Sequence, residues 1–320
     1  MSKEGFERAD AGPPLVVVLG PTASGKTALA VALARRFGGE ILSADSRQVY
    51  KGLDIGTGKD LDEYARGGPP VPVHLVDLAE PSEEYSVYRF LDDFREAFRD
   101  VTYRRRLPIL AGGSGLYLEA VLEGYALAEA PRDEMLRREL EGMTDGALRA
   151  LLRGLGGGRH NTTDLRDRER ILRAIEVAKA SSASRDPVPQ PFRPLLIGVR
   201  WPRDVLRRRV ADRLRARLEE GLVEEVEGLA AGGVSWERLD RLGLEYRYVA
   251  LFLRGRIKNR NDLFQKLRSA IIRFSRKQGT WFRRMERKGA RISWIEGGRP
   301  EEAGNIVSAF LGGASMLQST

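Results

Sequence analysis

Short runs of apolar residues alternate with helical patterns along the first third of the chain. Runs of five or six mainly apolar residues, typical of strands buried in a parallel sheet, occur at 15–19, 40–44, 73–78 and 108–113. A helical apolar pattern follows the first run at 28–34, and a second helix is predicted at 87–99. This alternation predicts an α/β fold in which helices flank a parallel sheet.

The pattern changes in the middle of the chain. Charged helical stretches at 132–141 and 164–180 are separated by Gly-rich and Pro-rich segments, and no strand pattern intervenes. An apolar run at 195–199 then predicts a returning strand, and a long helix is predicted at 204–220.

Length and composition agree with a core interrupted by an insertion. The chain has 320 residues, of which 42% are hydrophobic, enough for a sizeable core. We predict an α/β core at 15–121 and 195–300 that ends in a basic helical part. A mostly helical insertion is predicted at 122–194, and a flexible N-terminus at 1–14.

Composition also excludes several kinds of site. The chain has no cysteine, so disulfides and thiolate metal sites are excluded, and its two histidines offer few zinc ligands. The first 14 residues lack the apolar segment of a secretory signal. No apolar run approaches the roughly 18 residues of a membrane span. We therefore expect a cytoplasmic protein that does not associate with membranes.

Positive charge is concentrated near the C-terminus. The net charge is +9, and residues 241–291 contain 16 Lys and Arg against three acidic residues. A helix predicted at 262–284 carries basic residues around a less polar stripe, which consists of Leu263, Leu267, Ile271, Phe274, Gln278 and Trp281. Nearly unopposed positive charge indicates a polyanionic partner, because phosphate contacts release counterions. For any single arginine here, a solvated surface role is an equal alternative.

The loop between the first predicted strand and helix carries the clearest chemistry. It reads GPTASGKT and matches the P-loop pattern G-x-x-x-x-G-K-[ST]. Such a loop wraps backbone N–H groups around a di- or triphosphate, while Lys26 adds a charge and Thr27 a hydroxyl ligand for Mg²⁺. A Gly-rich turn before an ordinary helix is the weaker alternative. The predicted phosphate-binding residues are Gly20, Pro21, Thr22, Ala23, Ser24, Gly25, Lys26 and Thr27.

A carboxylate follows the second predicted strand. Asp45 comes directly after the run at 40–44, and open parallel sheets bind ligands at the carboxyl ends of their strands. From its position alone, Asp45 is equally well a Mg²⁺ ligand, a general base or a turn residue.

Six motifs in this order resemble the tRNA dimethylallyltransferase (tRNA isopentenyltransferase) family. They are GPTASGKT, SADSRQVYKGLDIGTGK, HLVDLAEPSEEYSVYRF, LAGGSGLYLEAVLEG, RDRERILRAIEV and RKQGTWFRR. The resemblance covers about Val16 to Arg284, and DSRQVYKGLDIGTGK is its most specific part. It implies a P-loop NTPase-like core and transfer of a dimethylallyl group from dimethylallyl diphosphate to N6 of an adenosine. That adenosine would lie on the 3′ side of the anticodon in tRNA.

The resemblance also implies roles for single residues. The P-loop would hold a leaving diphosphate, with Lys26 and a Mg²⁺ cofactor on Thr27 neutralising the charge that builds as the allylic C–O bond breaks. Asp45 matches the family's catalytic carboxylate, which acts on N6 as a general base. Arg213, on the helix predicted at 204–220, matches an arginine that reaches the diphosphate. A solvated or RNA-facing side chain is the alternative for Arg213.

Further positions match segments that contact tRNA in the family. They are Asp45, Ser46, Arg47, Gln48, Ser114, Arg137, Glu169, Arg170, Ile171, Leu172, Arg173, Gly243, Leu244, Glu245, Tyr246 and Arg247. Unpaired RNA bases are read in such polar, Arg-rich pockets, although Glu169 and Arg173 would also suit a surface ion pair. The resemblance thus implies a helical insertion that binds the tRNA anticodon stem-loop, and we expect a monomer.

Two other functions share the P-loop. A nucleoside or small-metabolite kinase has no evident use for the basic C-terminal segment. A nucleic-acid-binding ATPase or GTPase switch needs an apolar strand ending in an acid, for which VHLVD, ending at Asp77, is the only candidate. Departures from the family pattern lie in the predicted RNA-binding half, at 161–170, 181–191, 243–247 and Gly279.

Overall fold

The computed structural model describes residues 12–125, 130, 132–155, 167–180 and 192–316. The chain divides into a core unit, Met1–Glu123 with Gln190–Thr320, and an insertion unit, Gly124–Pro189. Of the N-terminus predicted to be flexible, residues 1–11 lie outside the described ranges. Among the described helices, none combines the length and apolar composition that a membrane crossing requires.

The core unit contains a six-stranded parallel sheet. Its strands are β1 (Pro14–Leu19), β2 (Gly39–Ala44), β3 (Val73–His74), β4 (Leu107–Gly112), β5 (Arg193–Arg200) and β6 (Ile292–Glu296). Their order across the sheet is β3-β2-β4-β1-β5-β6, and each pair of neighbours is parallel. The central strand β1 is buried from Leu15 onward, which explains its uninterrupted apolar sequence.

Helices flank this sheet and fill the insertion unit. In chain order they are α1 (Lys26–Phe37), α2 (Leu61–Ala65), α3 (Val87–Tyr103), α4 (Gly115–Leu122), α5 (Glu134–Leu140), α6 (Asp145–Gly154), α7 (Arg168–Ala180), α8 (Arg203–Glu219), α9 (Leu222–Ala231), α10 (Trp236–Leu242), α11 (Leu244–Leu253), α12 (Arg260–Arg287) and α13 (Pro300–Met316). The predicted α/β fold with a parallel sheet flanked by helices is thereby confirmed.

The strand predicted at 73–78 is wrong in its length. Only Val73 and His74 pair with β2. Leu75 and Asp77 have positive φ angles of 66° and 55°, so the backbone leaves the extended conformation directly after His74. The apolar run at 73–78 therefore forms a two-residue edge strand and a turn.

The less polar stripe predicted for the helix at 262–284 includes one residue that is exposed in α12. Phe274 is 43% exposed, whereas the adjacent Ser275 is buried. The buried positions 263, 267, 271, 275, 278, 282 and 285 follow one another at spacings of three or four residues, as expected for one helix face. Phe274 lies three residues after Ile271 and four before Gln278, so its position around the helix axis does not explain its exposure.

The insertion unit has a small hydrophobic core of its own. Leu136, Leu148 and Ile175 pack there with Ile171 and Leu172 of α7. Ile171 and Leu172 are buried, so both side chains have a packing role, and their contact with RNA stays a prediction.

Candidate active site

The loop between β1 and α1 folds as a phosphate cradle. Gly25 has φ 88° and Ala23 has φ 61°, left-handed conformations that direct loop N–H groups into a concave anion site. A Cβ atom at Gly20 would lie 2.7 Å from the Ser24 Oγ and 2.9 Å from the Val199 carbonyl oxygen, so this position requires glycine. The cradle opens at the N-terminus of α1, where the helix dipole favours an anion.

Two side chains from the segment after β5 hold this loop by its carbonyl groups. The Trp201 Nε1–H donates to the Ser24 carbonyl oxygen at 2.8 Å, and the Arg209 Nε–H donates to that of Ala23 at 2.8 Å. The Arg209 guanidinium also stacks on the Trp201 ring, 4.7 Å from its centroid. These bonds fix two peptide planes of the loop.

Cationic side chains are crowded beside the cradle. Desolvation and the charges of Arg213 and Arg217 lower the pKa of Lys26 to about 8, although Asp45 and Glu63 act in the opposite direction. Burial and Arg217 likewise lower the pKa of Arg213 to about 10. Cations that destabilise one another in a desolvated site indicate that a multiply charged anion binds there.

Arg217 is a member of this cluster that sequence reasoning missed. It lies one turn after Arg213 on α8, and its Nη1–H donates to the Gly56 carbonyl oxygen at 3.3 Å. Its buried Nη2 has no hydrogen-bond partner among the described residues and lies 3.8 Å from the Asp60 carboxylate. A Cβ atom at Gly58 would lie 1.5 Å from that nitrogen, so glycine is required for the close approach. An unpartnered buried guanidinium nitrogen is available to an anionic ligand.

A narrow cleft continues from the cradle. It combines guanidinium groups with apolar side chains, and its lining residues are Thr22, Ala23, Val210, Arg213, Leu214, Arg217, Glu245 and Ile271. Burial raises the pKa of the Glu245 carboxyl, opposed by the nearby arginines. The cleft has a free volume of about 10 Å³, room for about one water molecule, so it brings guanidinium groups next to apolar side chains without holding open a cavity for a ligand.

Asp45 lies at the carboxyl end of β2, as its position in the sequence indicates. Its Oδ1 accepts a hydrogen bond from the Arg47 N–H at 2.9 Å, which forms an Asx turn. The N–H of Ser46, the residue directly after Asp45, donates to the Ser114 Oγ at 3.1 Å. The Asp45 carboxylate is close enough to Lys26 to favour its charged form. The structure thus places the Asp45 carboxylate near enough to the Lys26 ammonium for their charges to interact.

A carboxylate on α9 holds the loop at residues 54–59 through its backbone N–H groups. Glu225 of α9 accepts hydrogen bonds from three consecutive N–H groups, at 3.0, 2.7 and 3.0 Å, which belong to Asp54, Ile55 and Gly56. It also accepts the Tyr246 hydroxyl at 2.7 Å. Tyr246 is buried against Gly56, so its side chain helps to hold this loop, and its contact with RNA stays a prediction.

Asp77 has a structural partner in the same region. Its Oδ1 lies 2.5 Å from the Nζ of Lys59, which is fully buried and also bonds Asp54. Because β3 ends at His74, Asp77 does not end a strand. Asp77 therefore does not supply the element expected of an ATPase or GTPase switch.

The predicted RNA contacts of the core unit fall into two groups. Gln48 is buried, its Oε1 accepting the Ser43 hydroxyl at 2.8 Å and its Nε2 donating to the Gly58 carbonyl oxygen at 2.9 Å. The Gln48 side chain is therefore a structural bridge, and its contact with RNA stays a prediction. The other group is at least partly exposed, and its contact with RNA stays a prediction. It comprises Asp45, Ser46, Arg47, Ser114, Gly243, Leu244, Glu245 and Arg247.

Within the insertion unit, the predicted polar contacts form an ion-pair network. Arg137 lies 2.5 Å from Glu176 and 2.7 Å from Glu169, and Arg173 lies 3.1 Å from Glu176. Glu169 thus forms an ion pair with Arg137, and Arg173 forms an ion pair with Glu176. Arg170 is exposed on α7.

The donor groups at the cradle fit a magnesium ion that arrives with a phosphate ligand. Among the described residues, no three acidic or histidine side chains converge as a metal site. Thr27 in the first turn of α1 offers a hydroxyl, and Asp45 offers a carboxylate. Mg²⁺ usually takes one or two protein oxygens together with phosphate oxygens and water, which this donor set can provide.

Comparison with known proteins bears on the whole chain. The family model described as IPP transferase matches residues 48–285, and the one described as isopentenyl transferase matches residues 13–68. The chain is 55% identical over 286 residues to tRNA dimethylallyltransferase 2 of Pelobacter propionicus, covering 89% of this chain and 90% of that protein. The corresponding protein of Trichlorobacter lovleyi is 54% identical over 301 residues, covering 92% and 97%.

Solved structures agree with these relatives. The tRNA isopentenylpyrophosphate transferase of Bacillus halodurans has a TM-score of 0.70 and 30% identity, covering 96% of this chain and 99% of that one. The enzyme of that name from Staphylococcus epidermidis has a TM-score of 0.64 and 28% identity, covering 94% and 99%. The chain therefore belongs to the IPP transferase family, whose relatives named above are tRNA dimethylallyltransferases.

Proposed function

We propose that this protein transfers a dimethylallyl group from dimethylallyl diphosphate to N6 of the adenosine on the 3′ side of the anticodon in tRNA, releasing diphosphate. The observation that carries the proposal is the junction of a phosphate cradle, two desolvated arginines and the Asp45 carboxylate in one site. The relatives at 55% and 54% identity support this pair of substrates over the kinase and switch alternatives.

The cationic cluster acts on the leaving group. The loop N–H groups and Lys26 bind the diphosphate, and Arg213 and Arg217 neutralise the negative charge that grows as the allylic C–O bond breaks. Mg²⁺, when bound through Thr27 and diphosphate oxygens, would supply further positive charge to the same leaving group. The apolar side chains Val210, Leu214 and Ile271 line the cleft beside the cradle, and the cleft must widen to take the five-carbon group next to them.

Asp45 acts on the nucleophile. The N6 amino group of adenine is a poor nucleophile, because its lone pair is delocalised into the ring. As the C–N bond forms, the Asp45 carboxylate accepts the N6 proton, so no positive charge remains on the product amine. The Asx turn with the Arg47 N–H holds the carboxylate in one orientation.

The tRNA is bound by the basic C-terminal segment and the residues around Asp45. Arg273, Arg276 and Lys277 are exposed on α12 and suit the phosphate backbone. Arg47 and Ser114 lie beside Asp45, where they reach the anticodon loop around the outward-turned adenosine. Arg137, Glu169, Arg170 and Arg173 provide the proposed RNA contacts of the insertion unit, and the protein acts as a monomer.

A transfer assay tests this function. The protein is incubated with Mg²⁺, dimethylallyl diphosphate labelled in its allyl group, and an unmodified tRNA transcript with adenosine on the 3′ side of the anticodon. We expect label in the RNA, and none in a matched transcript that carries guanosine at that position. Absence of label from the adenosine transcript, together with phosphate release from ATP, would contradict the proposal.

Diphosphate affinity should depend on pH through Lys26. Below pH 8 the Lys26 ammonium is charged in the free protein, and above it binding must take up a proton, because the anion favours the charged form. Between pH 8 and 9.5 the dissociation constant for inorganic diphosphate should therefore rise by about 15-fold, approaching tenfold per pH unit at the upper end. The Lys26→Arg variant keeps its charge over this pH range. Calorimetry on this variant therefore measures how protonation of the diphosphate itself changes the dissociation constant. Identical pH profiles for the two proteins would contradict the prediction.

A further inference from the structure

One buried amide joins the P-loop to the loop that follows β4. The Gln278 side chain on α12 is 8% exposed. Its Oε1 accepts the Thr22 N–H at 2.9 Å, and its Nε2 donates to the Gly113 carbonyl oxygen at 2.9 Å. Because both ends of one planar group are bonded to backbone atoms, the amide fixes the separation of the two loops. The Thr22 N–H, predicted to bind diphosphate, is engaged by this contact.

The space around this amide requires glycine at position 113. A Cβ atom at Gly113 would lie 2.6 Å from the Gln278 Nε2 and 3.1 Å from the Gly20 carbonyl oxygen. It would also lie 3.5 Å from the Lys26 Cε. The P-loop backbone, the catalytic-site lysine and the loop after β4 therefore meet at the point that the amide bridges.

Two further contacts between α12 and α4 keep the helix in register with that loop. Trp281 packs on Gly115, where a Cβ atom would lie 2.4 Å from the indole Cγ. Glu119 is fully buried and bonds Arg284 at 2.8 Å as well as Lys288. Although burial opposes ionisation, these bonds hold the pKa of the Glu119 carboxyl below its usual range. The position of the amide on α12 is thus firmly defined.

The bridged loop leads directly to Asp45. The residue after Gly113 is Ser114, whose Oγ accepts the Ser46 N–H at 3.1 Å, and whose own N–H donates to the Ala44 carbonyl oxygen at 3.3 Å. Ala44 and Ser46 flank Asp45 on both sides. A shift of this loop therefore moves the peptide groups that carry the Asp45 carboxylate.

We propose that Gln278 is a positioning residue that sets the placement of the phosphate cradle relative to Asp45. This inference rests on the proposed function. The allylic diphosphate is held on the cradle side of the amide and adenine N6 on the Asp45 side. In-line attack requires the two to meet at about 3–3.5 Å. Loss of the amide therefore affects the reaction step more than the binding of either substrate.

The test compares Gln278→Met with Ser275→Ala. Methionine keeps the volume but loses both hydrogen bonds, whereas Ser275 lies one turn earlier on the same buried face and bonds only the Ile272 carbonyl oxygen of its own helix, at 2.9 Å. We expect kcat for dimethylallyl transfer to fall about 30-fold in Gln278→Met, because small misplacements at the reacting atoms are costly. Its dissociation constant for inorganic diphosphate should rise less than about fivefold, the scale of one hydrogen bond. Ser275→Ala should keep both values.

Two additional measurements separate positioning from stability. Gln278→Glu retains the acceptor for Thr22 and loses the donor to Gly113, so it should show the same loss of kcat even where Gln278→Met fails to fold. Ser114→Ala combined with the glutamate variant should reduce kcat less than the product of the two single effects, since both interrupt one chain of contacts. A kcat in Gln278→Glu equal to that of Ser275→Ala overturns the inference. An inactive wild-type protein instead overturns the proposed function.

Discussion

Replacing Asp45 with asparagine should slow dimethylallyl transfer by about 10³-fold, within the range expected for removal of a general base. Asparagine keeps an oxygen for the Arg47 N–H, so the Asx turn remains. It cannot accept the N6 proton, and the developing C–N bond would leave positive charge on the amine. The rate is measured in single-turnover experiments with saturating dimethylallyl diphosphate and tRNA, which exclude product release.

The same variant should bind inorganic diphosphate nearly as well as the wild-type protein. Its dissociation constant should change by less than about threefold, because Asp45 acts at the adenine and removal of a nearby negative charge does not oppose the binding of an anion. Asp62→Asn is the matched control, since Asp62 is exposed on α2 and its replacement alters the net charge equally. A selective loss of Mg²⁺-dependent diphosphate binding in Asp45→Asn would instead identify the carboxylate as a metal ligand.

The interior of the sheet was predictable because central parallel strands are buried on both faces. The runs that form β1, β2, β4 and β5 are therefore nearly continuous apolar segments. The edge strands were predicted less well. The apolar run at 73–78 predicted a strand, but only its first two residues form β3, and β6 is largely half-buried and was not predicted.

The residues of the candidate site also differ in how far the sequence predicts them. The P-loop and Asp45 are local features, since a spacing motif and the end of a strand define them. Glu225 and Gln278 act through contacts with residues more than 150 positions away, which no local pattern encodes. The one indication was a glutamine among the apolar positions of α12, because a buried amide requires partners.

The buried residues among the predicted RNA contacts show that a family resemblance describes a segment and does not decide the role of each side chain in it. A matched segment assigns RNA contact to every residue within it. On an amphipathic helix such as α7, only one face can meet a ligand, and Ile171 and Leu172 occupy the other. Gln48 and Tyr246 are likewise buried by contacts that organise the loop at residues 54–59.

Replacing Lys26 with alanine should have the opposite signature to the Asp45 variant. The dissociation constant for inorganic diphosphate should rise about 100-fold at pH 7, because a charge in a desolvated site interacts much more strongly than one in water. Transfer at saturating dimethylallyl diphosphate should fall as well, since Lys26 also opposes the charge that develops on the leaving group. The two effects are separated by calorimetry without RNA and by single-turnover transfer.

Lys277→Ala is the matched control for this change. Lys277 is exposed on α12 and its removal alters the net charge by the same amount, so a general electrostatic effect would appear in both proteins. We expect Lys277→Ala to weaken tRNA binding at low salt and to leave diphosphate binding unchanged. Equal diphosphate affinities for the two variants would show that the loop N–H groups, Arg213 and Arg217 hold the anion without Lys26. The P-loop lysine would then serve the transition state only, and its lowered pKa would be a consequence of crowding without a role in substrate binding.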